Sequence, residues 1–275
     1  LGAADTLTLG NNNSGAQLTT NCLINAGTGT LNLVNGTGSL TAAGLAAGTT
    51  NGVILVAANA DFNVSSRVHN NGANASTLTL IGPGTTTLSG VNDFTGGAFV
   101  NSGTVQIGNN AAFGTGTLTI NGGNIRATGA DRTMANAVAI NNSFTLGRGT
   151  HFSGAVTLNN DITITSANPD VLAASTSSFT NAISGARNLT FTEGANPIGT
   201  IILSGTSSYT GSTTINGGPV QLNGTGSINS SSGITINGST AKLIQTSSTA
   251  STPSIILQNG TLDGTGTVGA VTVAD

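Results

Sequence analysis

LSGTSSYTGSTTINGGPVQL, residues 203–222, has a counterpart earlier in the chain, LSGVNDFTGGAFVNSGTVQI, residues 88–107. In register, both copies give Leu-Ser-Gly, an aromatic residue followed by Thr-Gly, then an Asn, a Gly and a Val-Gln pair. The aromatic residue is Phe94 in the first copy and Tyr209 in the second. The chain therefore contains an internal repeat of about twenty residues.

Each copy of the repeat is typical of three short strands separated by turns rich in Gly, Ser and Asn. A segment this short cannot bury its apolar positions alone, so its strands must pair with those of the units before and after it. The corner residues Asn101 with Gly103, and Asn216 with Gly218, suit the left-handed backbone of sharp corners. The predicted fold is all-β, a single right-handed parallel β-helix (β-solenoid) of about a dozen coils over residues 1–275, without substantial helix.

The longer pattern around the second copy resembles the autotransporter-associated β-strand repeat of bacterial surface and secreted passenger proteins. Residues 183–222 carry that pattern almost whole, from ISG through LTFTEG and GTIILSGTSSYTG to the Asn-x-Gly corner. The first copy, residues 78–107, is looser and has Phe99 in place of the usual Thr. The resemblance implies a parallel β-helix, export across the cell envelope and a role at the cell surface.

Composition argues for one elongated body and against several classes of partner. The chain is 37% apolar and only 5% charged, against roughly 25% charged in an average soluble protein. Low hydrophobicity with high net charge, the signature of disorder, is absent. The net charge of -3 predicts no electrostatic binding to nucleic acid or anionic membranes.

Cys22 is the only cysteine, so the sequence holds no internal disulfide framework. We expect Cys22 to be buried as a small apolar residue. No run of 18 apolar residues predicts a membrane span. The chain begins at Leu1 without a signal peptide, which favours a segment of a longer precursor that could be anchored in the outer membrane elsewhere.

Strand-like blocks with period-2 alternation recur along the chain, first over residues 5–35 and then over residues 76–149. Residues 40–50, LTAAGLAAGTT, are expected to form a loop or small bulge, because two glycines disfavour a helix there. The apolar run in residues 52–58 predicts a strand buried on both faces or covering a neighbouring layer.

Two segments are candidate projecting loops, which is where solenoids usually place function. They are residues 166–178, SANPDVLAASTSS, and residues 246–254, TSSTASTPS. Beyond them, the blocks IILQNG, TLDGTG, TVGA and VTVAD predict several short strands close together.

Groups able to perform acid–base chemistry are sparse and scattered. A polysaccharide lyase or hydrolase of the β-helix type needs carboxylates clustered on one face of adjacent coils. The tightest polar cluster is Arg148, His151 and Asp161, which would supply a cation, a base and an acid if one coil separated Arg148 from Asp161. The competing interpretation is a solvated face with ordinary surface charges, and we predict no catalytic residues.

Metal and cofactor sites find no better support. The LDGTG sequence around Asp263 is weakly similar to one copy of the calcium-binding nonapeptide, which binds calcium only in tandem copies. His69 and His151 are isolated, and the Gly-rich segments join strand to strand without a helix N-terminus that could hold phosphate. We predict no metal and no cofactor, and we expect most aromatic side chains to pack inside the coils.

Three functions remain as hypotheses. The first is a non-enzymatic extracellular structural protein, either the shaft of a surface protein or a subunit that self-associates through its solenoid ends into a fibre. The second is an adhesin passenger that binds a host or neighbouring cell through residues 166–178 and 246–254. The third, a minor alternative, is a polysaccharide lyase or hydrolase.

Overall fold

The computed structural model describes residues 5–9, 17–26, 29–35, 39–41, 51–57, 61–167, 175–196 and 199–274. The chain divides into two compact units, Leu1–Ala137 and Val138–Asp275. The described residues of both units form strands, turns and bends and contain no helix. Consequently no described helix is long and apolar enough to span a membrane.

The first unit contains the strands β1 to β15. In chain order they are Asp5–Leu9, Gln17–Thr19, Cys22–Asn25, Leu31–Asn35, Ser39–Thr41, Asn51–Ala57, Phe62–Val64, Arg67–His69, Ser76–Ile81, Thr85–Leu88, Ala98–Val100, Thr104–Ile107, Leu118–Ile120, Asn124–Ala127 and Arg132–Met134.

Parallel pairing between strands of successive coils builds the first unit. One ladder stacks β1, β4, β7, β10, β12 and β14. A second stacks β3, β6, β9, β11 and β13, and a third stacks β2, β5 and β8. Coil length varies, because Leu31 stacks on Phe62 whereas Thr85 stacks on Thr104.

The second unit contains the strands β16 to β29. In chain order they are Val138–Ile140, Phe144–Leu146, Thr150–Phe152, Val156–Leu158, Ile162–Ser166, Ser177–Phe179, Ile183–Ser184, Leu189–Glu193, Ile201–Leu203, Thr213–Ile215, Pro219–Leu222, Ile234–Gln245, Ile255–Gly264 and Val271–Val273.

The second unit has the same parallel construction. One ladder stacks β17, β20, β23, β25, β27, β28 and β29, a second stacks β18, β21, β24, β26, β27 and β28, and a third stacks β16, β19 and β22. The predicted class, an all-β parallel β-solenoid, is confirmed in both units. Its right-handed sense remains a prediction.

The two longest strands correct the prediction of short strands near the end of the chain. β27 and β28 each take part in two ladders, and the register between them shifts around Asn237 and Lys242. The IILQNG block and the first four residues of the TLDGTG block therefore lie in one strand of ten residues, β28. The Asn-Gly pair inside β28 does not form a turn. It lies at the shift in register, because β27 pairs with β28 on both sides of that pair.

Side chains alternate between the core and the surface along the strands, as period-2 patterning requires. In β6, Val53, Leu55 and Ala57 are buried. Phe152 and Phe179, which are register partners, stack with ring centroids 5.3 Å apart. Nearly all aromatic side chains are buried as expected, and Phe99 is the half-buried exception.

Both copies of the repeat have the predicted strand, turn, strand, corner and strand. The copies correspond to β10, β11 and β12 and to β24, β25 and β26. Gly103 and Gly218 adopt φ of 78° and 73°, the left-handed conformation expected at these corners. Phe94 and Tyr209 are fully buried, so the aromatic position of the repeat belongs to the core.

The prediction that Cys22 is buried is wrong, because its side chain is exposed. In β3 the alternation places Asn25 in the interior and leaves Ile24 61% exposed. Asn25 is held there by hydrogen bonds from its Nδ2 to the carbonyl oxygens of Gly29 (3.0 Å) and Asp61 (2.9 Å). These bonds fix which face of β3 points inward, and Cys22 lies on the other face.

Two predicted loops lie partly outside the described residues. Within residues 40–50, the described Leu40 and Thr41 belong to β5, and residues 42–50 are not described. Within residues 166–178, Ser166 ends β20, and Ser177 and Ser178 begin β21. Residues 168–174 are not described.

Candidate functional site

The predicted cluster of Arg148, His151 and Asp161 is not joined by hydrogen bonds. His151 is the register partner of Ser178, and its Nδ1 lies 2.8 Å from Ser178 Oγ. Asp161 accepts hydrogen bonds from the backbone N (3.0 Å) and Nδ2 (2.9 Å) of Asn188. His151 and Asp161 each contact the residue 27 positions ahead, one coil further on. In the sequence, Arg148 and Asp161 are separated by far fewer residues than the 27 of this coil.

A different group of ionisable side chains does meet on the surface of the first unit. Arg67 Nε donates to Asp93 Oδ1 at 2.9 Å, and a second guanidinium N–H of Arg67 bonds Asp93 Oδ2. His69 Nδ1 lies 2.8 Å from the same Oδ1. The sequence interpretation missed this group because its members lie far apart in the chain. The detectable signal is their separation of 24 and 26 residues, about one coil.

The group has a defined charge balance. Desolvation, followed by the positive charge of Arg67, lowers the pKa of His69 from its ordinary value of 6.5. Because Asp93 already forms an ion pair with Arg67, its carboxylate gives little net support to a protonated imidazole. The arrangement can hold adjacent coils together, and it presents a neutral imidazole at neutral pH.

Lys242 and Asp263 form a second ion pair between coils, with Nζ 2.6 Å from Oδ2. The hydrogen bond from Lys242, supported by the Gly264 N–H, lowers the pKa of Asp263. Asp263 belongs to the LDGTG segment that resembled part of a calcium site. In the described part of the chain, no three His, Cys, Asp or Glu side chains are grouped closely enough to hold a metal ion.

Neutral polar side chains form ladders between coils. Amides bond amides at equivalent positions of adjacent coils, namely Asn63 to Asn32 (2.8 Å), Asn121 to Asn101 (2.7 Å) and Asn159 to Asn141 (2.7 Å). Such ladders satisfy polar groups along the stack without using charge. They account for an ordered polar surface on a chain in which few residues are ionisable.

The candidate loop at residues 246–254 is hydrogen-bonded to the coils on either side of it. Ser247 Oγ and Ser248 Oγ both donate to the Gly224 carbonyl oxygen, at 3.1 and 2.9 Å. Ser251 forms a parallel bridge with Val268. The backbone of this segment therefore follows the coil, and its exposed positions, including Ser248 and Thr252, face solvent.

A cavity of about 360 Å³ lies at a corner of the first unit. It is lined by Asn110, Ala111, Gly114, Thr115, Thr133, Ala135 and Asn136. This lining contains no ionisable side chain, and two of its members, Ala111 and Ala135, are apolar. Sequence interpretation missed the cavity, because no residue type in it signals binding by itself.

Comparison with known proteins adds to this geometry. The model of the passenger-associated transport repeat matches residues 78–107 and 198–222, the segments that contain the two sets of three strands. The chain carries two passenger-associated transport repeats. This finding confirms the family resemblance predicted from the sequence.

The passenger-repeat chain is also similar to a much longer protein, the "Adhesin BmaC autotransporter" of Brucella suis biovar 1 (strain 1330). The two are 33% identical over 141 residues, which is 51% of this chain and 4% of that protein. The chain thus spans only a small part of the length of its curated relative. No solved structure matches the chain.

Proposed function

We propose that this chain is a non-enzymatic, surface-exposed passenger segment that works as a shaft. The observation that carries the proposal is the in-register parallel stacking of successive coils within each unit, and each unit includes one passenger-associated transport repeat. A shaft needs coils that hold one another and a surface that stays soluble. The buried apolar core, which includes the stacked rings of Phe152 and Phe179, supplies the first property, and the neutral amide ladders supply the second.

The charged groups support a structural role. Arg67 with Asp93, and Lys242 with Asp263, each join one coil to the next. Asp161 is engaged with Asn188 in the same way. These side chains are used for cohesion between coils, which is the work expected of charges in a scaffold.

Removing one whole coil tests the shaft. Thr104 takes the place of Thr85 one coil later, so deletion of residues 85–103 should leave Thr104 in the register of Thr85. The shortened protein should fold and reach the cell surface. A matched deletion of residues 85–94 removes about half a coil and should prevent folding. If both deletions behaved alike in surface display and protease resistance, the shaft proposal would fail.

Attachment to a host or neighbouring cell is the second candidate, favoured by the name of the similar Brucella protein, an adhesin autotransporter. On this proposal, residues 166–178 and the outward positions of residues 246–254 are the places to test. Replacing Thr252 and Ser254 by Asp should reduce attachment and leave the coil folded, because both side chains face solvent. Unchanged attachment in this variant and in a deletion of residues 168–174 would contradict it.

Electron microscopy distinguishes the shaft from the alternative, a fibre built by self-association through the solenoid ends. Single rods projecting from cells that produce the full-length protein favour the shaft. Long filaments that bind antibody against this chain along their length favour the fibre.

A further inference from the structure

We propose that the cavity lined by Asn110, Thr133 and Asn136, called the Asn110 cavity below, binds one neutral sugar ring. This site goes beyond a scaffold role. The volume of about 360 Å³ lies at the small end of the range of about 300–1,000 Å³ for ligand pockets. It therefore suits one ring better than an extended chain.

The outer wall of the Asn110 cavity is fixed before any ligand arrives. The backbone N–H of Ala111 donates to Asn109 Oδ1 at 2.9 Å, and the Gly114 N–H donates to the Ala111 carbonyl at 3.0 Å. Asn92, itself buried, donates from Nδ2 to the Ala112 carbonyl at 2.6 Å. A wall held in this way loses little conformational entropy on binding, which favours affinity for a small ligand.

Asn136, which lines the Asn110 cavity, has a buried side chain that carries a hydrogen-bond acceptor. Its side chain is 5% exposed, and its Nδ2 donates to the carbonyl oxygens of Gly116 (2.7 Å) and Gly114 (3.1 Å). These bonds set the orientation of the amide, because only the nitrogen can donate to carbonyls. No donor within the described ranges bonds its Oδ1, and this oxygen can accept from a ligand hydroxyl.

Asn110 and Thr133 also line the cavity and supply hydrogen-bond donors. Asn110 Oδ1 accepts the Thr133 backbone N–H at 3.1 Å, and no acceptor in the described part of the chain bonds Asn110 Nδ2, which can donate to a ligand. The Thr133 side chain is exposed beside it, and its hydroxyl can donate or accept. Buried acceptor, amide donor and hydroxyl match the hydroxyls of a sugar, which both donate and accept.

The remaining lining selects the class of ligand. Ala111 and Ala135 offer small apolar surfaces against which the C–H face of a pyranose can pack. No cation lines the cavity to hold an anion, and no carboxylate lines it to hold a cation. The ligand that fits this set is neutral, polyhydroxylated and partly apolar, which describes a pyranose.

The second unit provides an internal comparison. Asn229 repeats the bond of Asn110, because its Oδ1 accepts the Thr252 N–H at 3.0 Å, again 23 residues further on. However, Asn229 Nδ2 is already used, donating to the Ala250 carbonyl at 2.9 Å. The equivalent corner therefore lacks this donor, and Thr252 is a matched control for Thr133.

The test uses the whole 275-residue chain, ¹⁵N-labelled, and a panel of methyl pyranosides of glucose, galactose, mannose and N-acetylglucosamine, with glycerol as an acyclic polyol. At least one pyranoside should shift the amide signals of Asn110, Thr133 and Asn136, with a Kd on the order of millimolar for a ligand of this size. Glycerol should not. Thr133→Val should weaken binding roughly three- to tenfold, and Ala135→Leu should abolish it by filling the cavity. Thr252→Val should leave the Kd unchanged.

Folding of each variant is checked by its amide spectrum, and Ala135→Leu breaks no observed hydrogen bond, so a loss of binding in it is not a loss of fold. The proposal is overturned if no pyranoside shifts these signals at about ten times the expected Kd. It is also overturned if the shifts persist equally in Thr133→Val and Ala135→Leu, or if glycerol produces the same shifts.

Discussion

The phenol oxygen of Tyr209 lies 2.6 Å from the hydroxyl oxygen of Thr213 in the core of the second repeat. Burial raises the pKa of Tyr209, so the phenol stays protonated there. The first repeat has neither hydroxyl, because Phe94 and Ala98 occupy the corresponding positions. The two positions differ together because a buried hydroxyl without a partner is costly.

This hydrogen bond predicts that Tyr209→Phe and Phe94→Tyr lower the free energy of unfolding by unequal amounts. Tyr209→Phe should lower the free energy of unfolding by about 0.5–1.5 kcal/mol, the usual net value of a hydrogen bond. Phe94→Tyr should cost more, about 1–3 kcal/mol, because its hydroxyl would face Ala98 without a partner. Denaturant unfolding of the purified chain measures both.

Two double variants serve as controls for this prediction. Phe94→Tyr with Ala98→Thr should recover part of the loss, and Tyr209→Phe with Thr213→Ala should cost less than the two single changes added together. Strictly additive costs would show that the hydroxyls act independently.

The two corner glycines should respond differently to alanine. Gly218→Ala should cost about 1–2 kcal/mol, the price of a left-handed backbone, because its added Cβ approaches only the Glu193 side chain, at 3.6 Å. Gly103→Ala should cost clearly more, since its Cβ would overlap the carbonyl oxygens of Gly82 and Gly84. Thermal unfolding of the two variants checks the order.

Gly224→Ala is the matched control, because Gly224 has φ of 63° and open space around an added Cβ. It should resemble Gly218→Ala. Equal losses for Gly103→Ala and Gly224→Ala would contradict the close approach of coils at the first corner.

The lowered pKa of Asp161 predicts that the folded chain loses stability in acid. Hydrogen bonds from the Asn188 backbone and side chain lower the pKa of Asp161 below its ordinary value of 3.8. The stabilisation is therefore complete above the unfolded pKa and is lost as pH falls through the lowered folded pKa. Melting temperatures of the wild type and Asp161→Asn, measured downward from neutral pH, should converge below pH 3.8. Parallel curves would contradict this role.

His69 should titrate below its ordinary pKa of 6.5 because of desolvation and Arg67. Its stabilising effect is present above the unfolded pKa and decreases as pH falls, since the folded state binds the proton less readily. Arg67→Gln should raise the pKa of His69 by removing the nearby charge and leaving Asp93 to the imidazole. NMR titration of the His69 ring measures both values, and an unchanged pKa in Arg67→Gln would exclude the shared ion-pair arrangement.

The repeat made the fold predictable. Phe94 and Tyr209 align in sequence because both fill the same inward position, and Gly103 and Gly218 align because both corners need a left-handed backbone. These requirements are local, so they leave a direct trace in the sequence. The parallel class and the strands of both repeats followed from them.

Contacts between coils were less predictable because coil length varies. Leu31 stacks on Phe62, 31 residues later, whereas Thr85 stacks on Thr104, 19 residues later. A partner such as Asp93 for Arg67 can be found only once the length of that coil is known. The Asn110 cavity depends in addition on turn geometry, and the exposure of Cys22 depends on the hydrogen bonds of Asn25.

Labelling of Cys22 on intact cells tests the central claim, a passenger segment displayed at the cell surface, most directly. Cys22 is exposed and is the only cysteine among these 275 residues, so a membrane-impermeant maleimide should react with it on cells that produce the full-length protein, and Cys22→Ser should remove that label from the segment. Labelling of Cys22 only after the cells are broken open would contradict the claim.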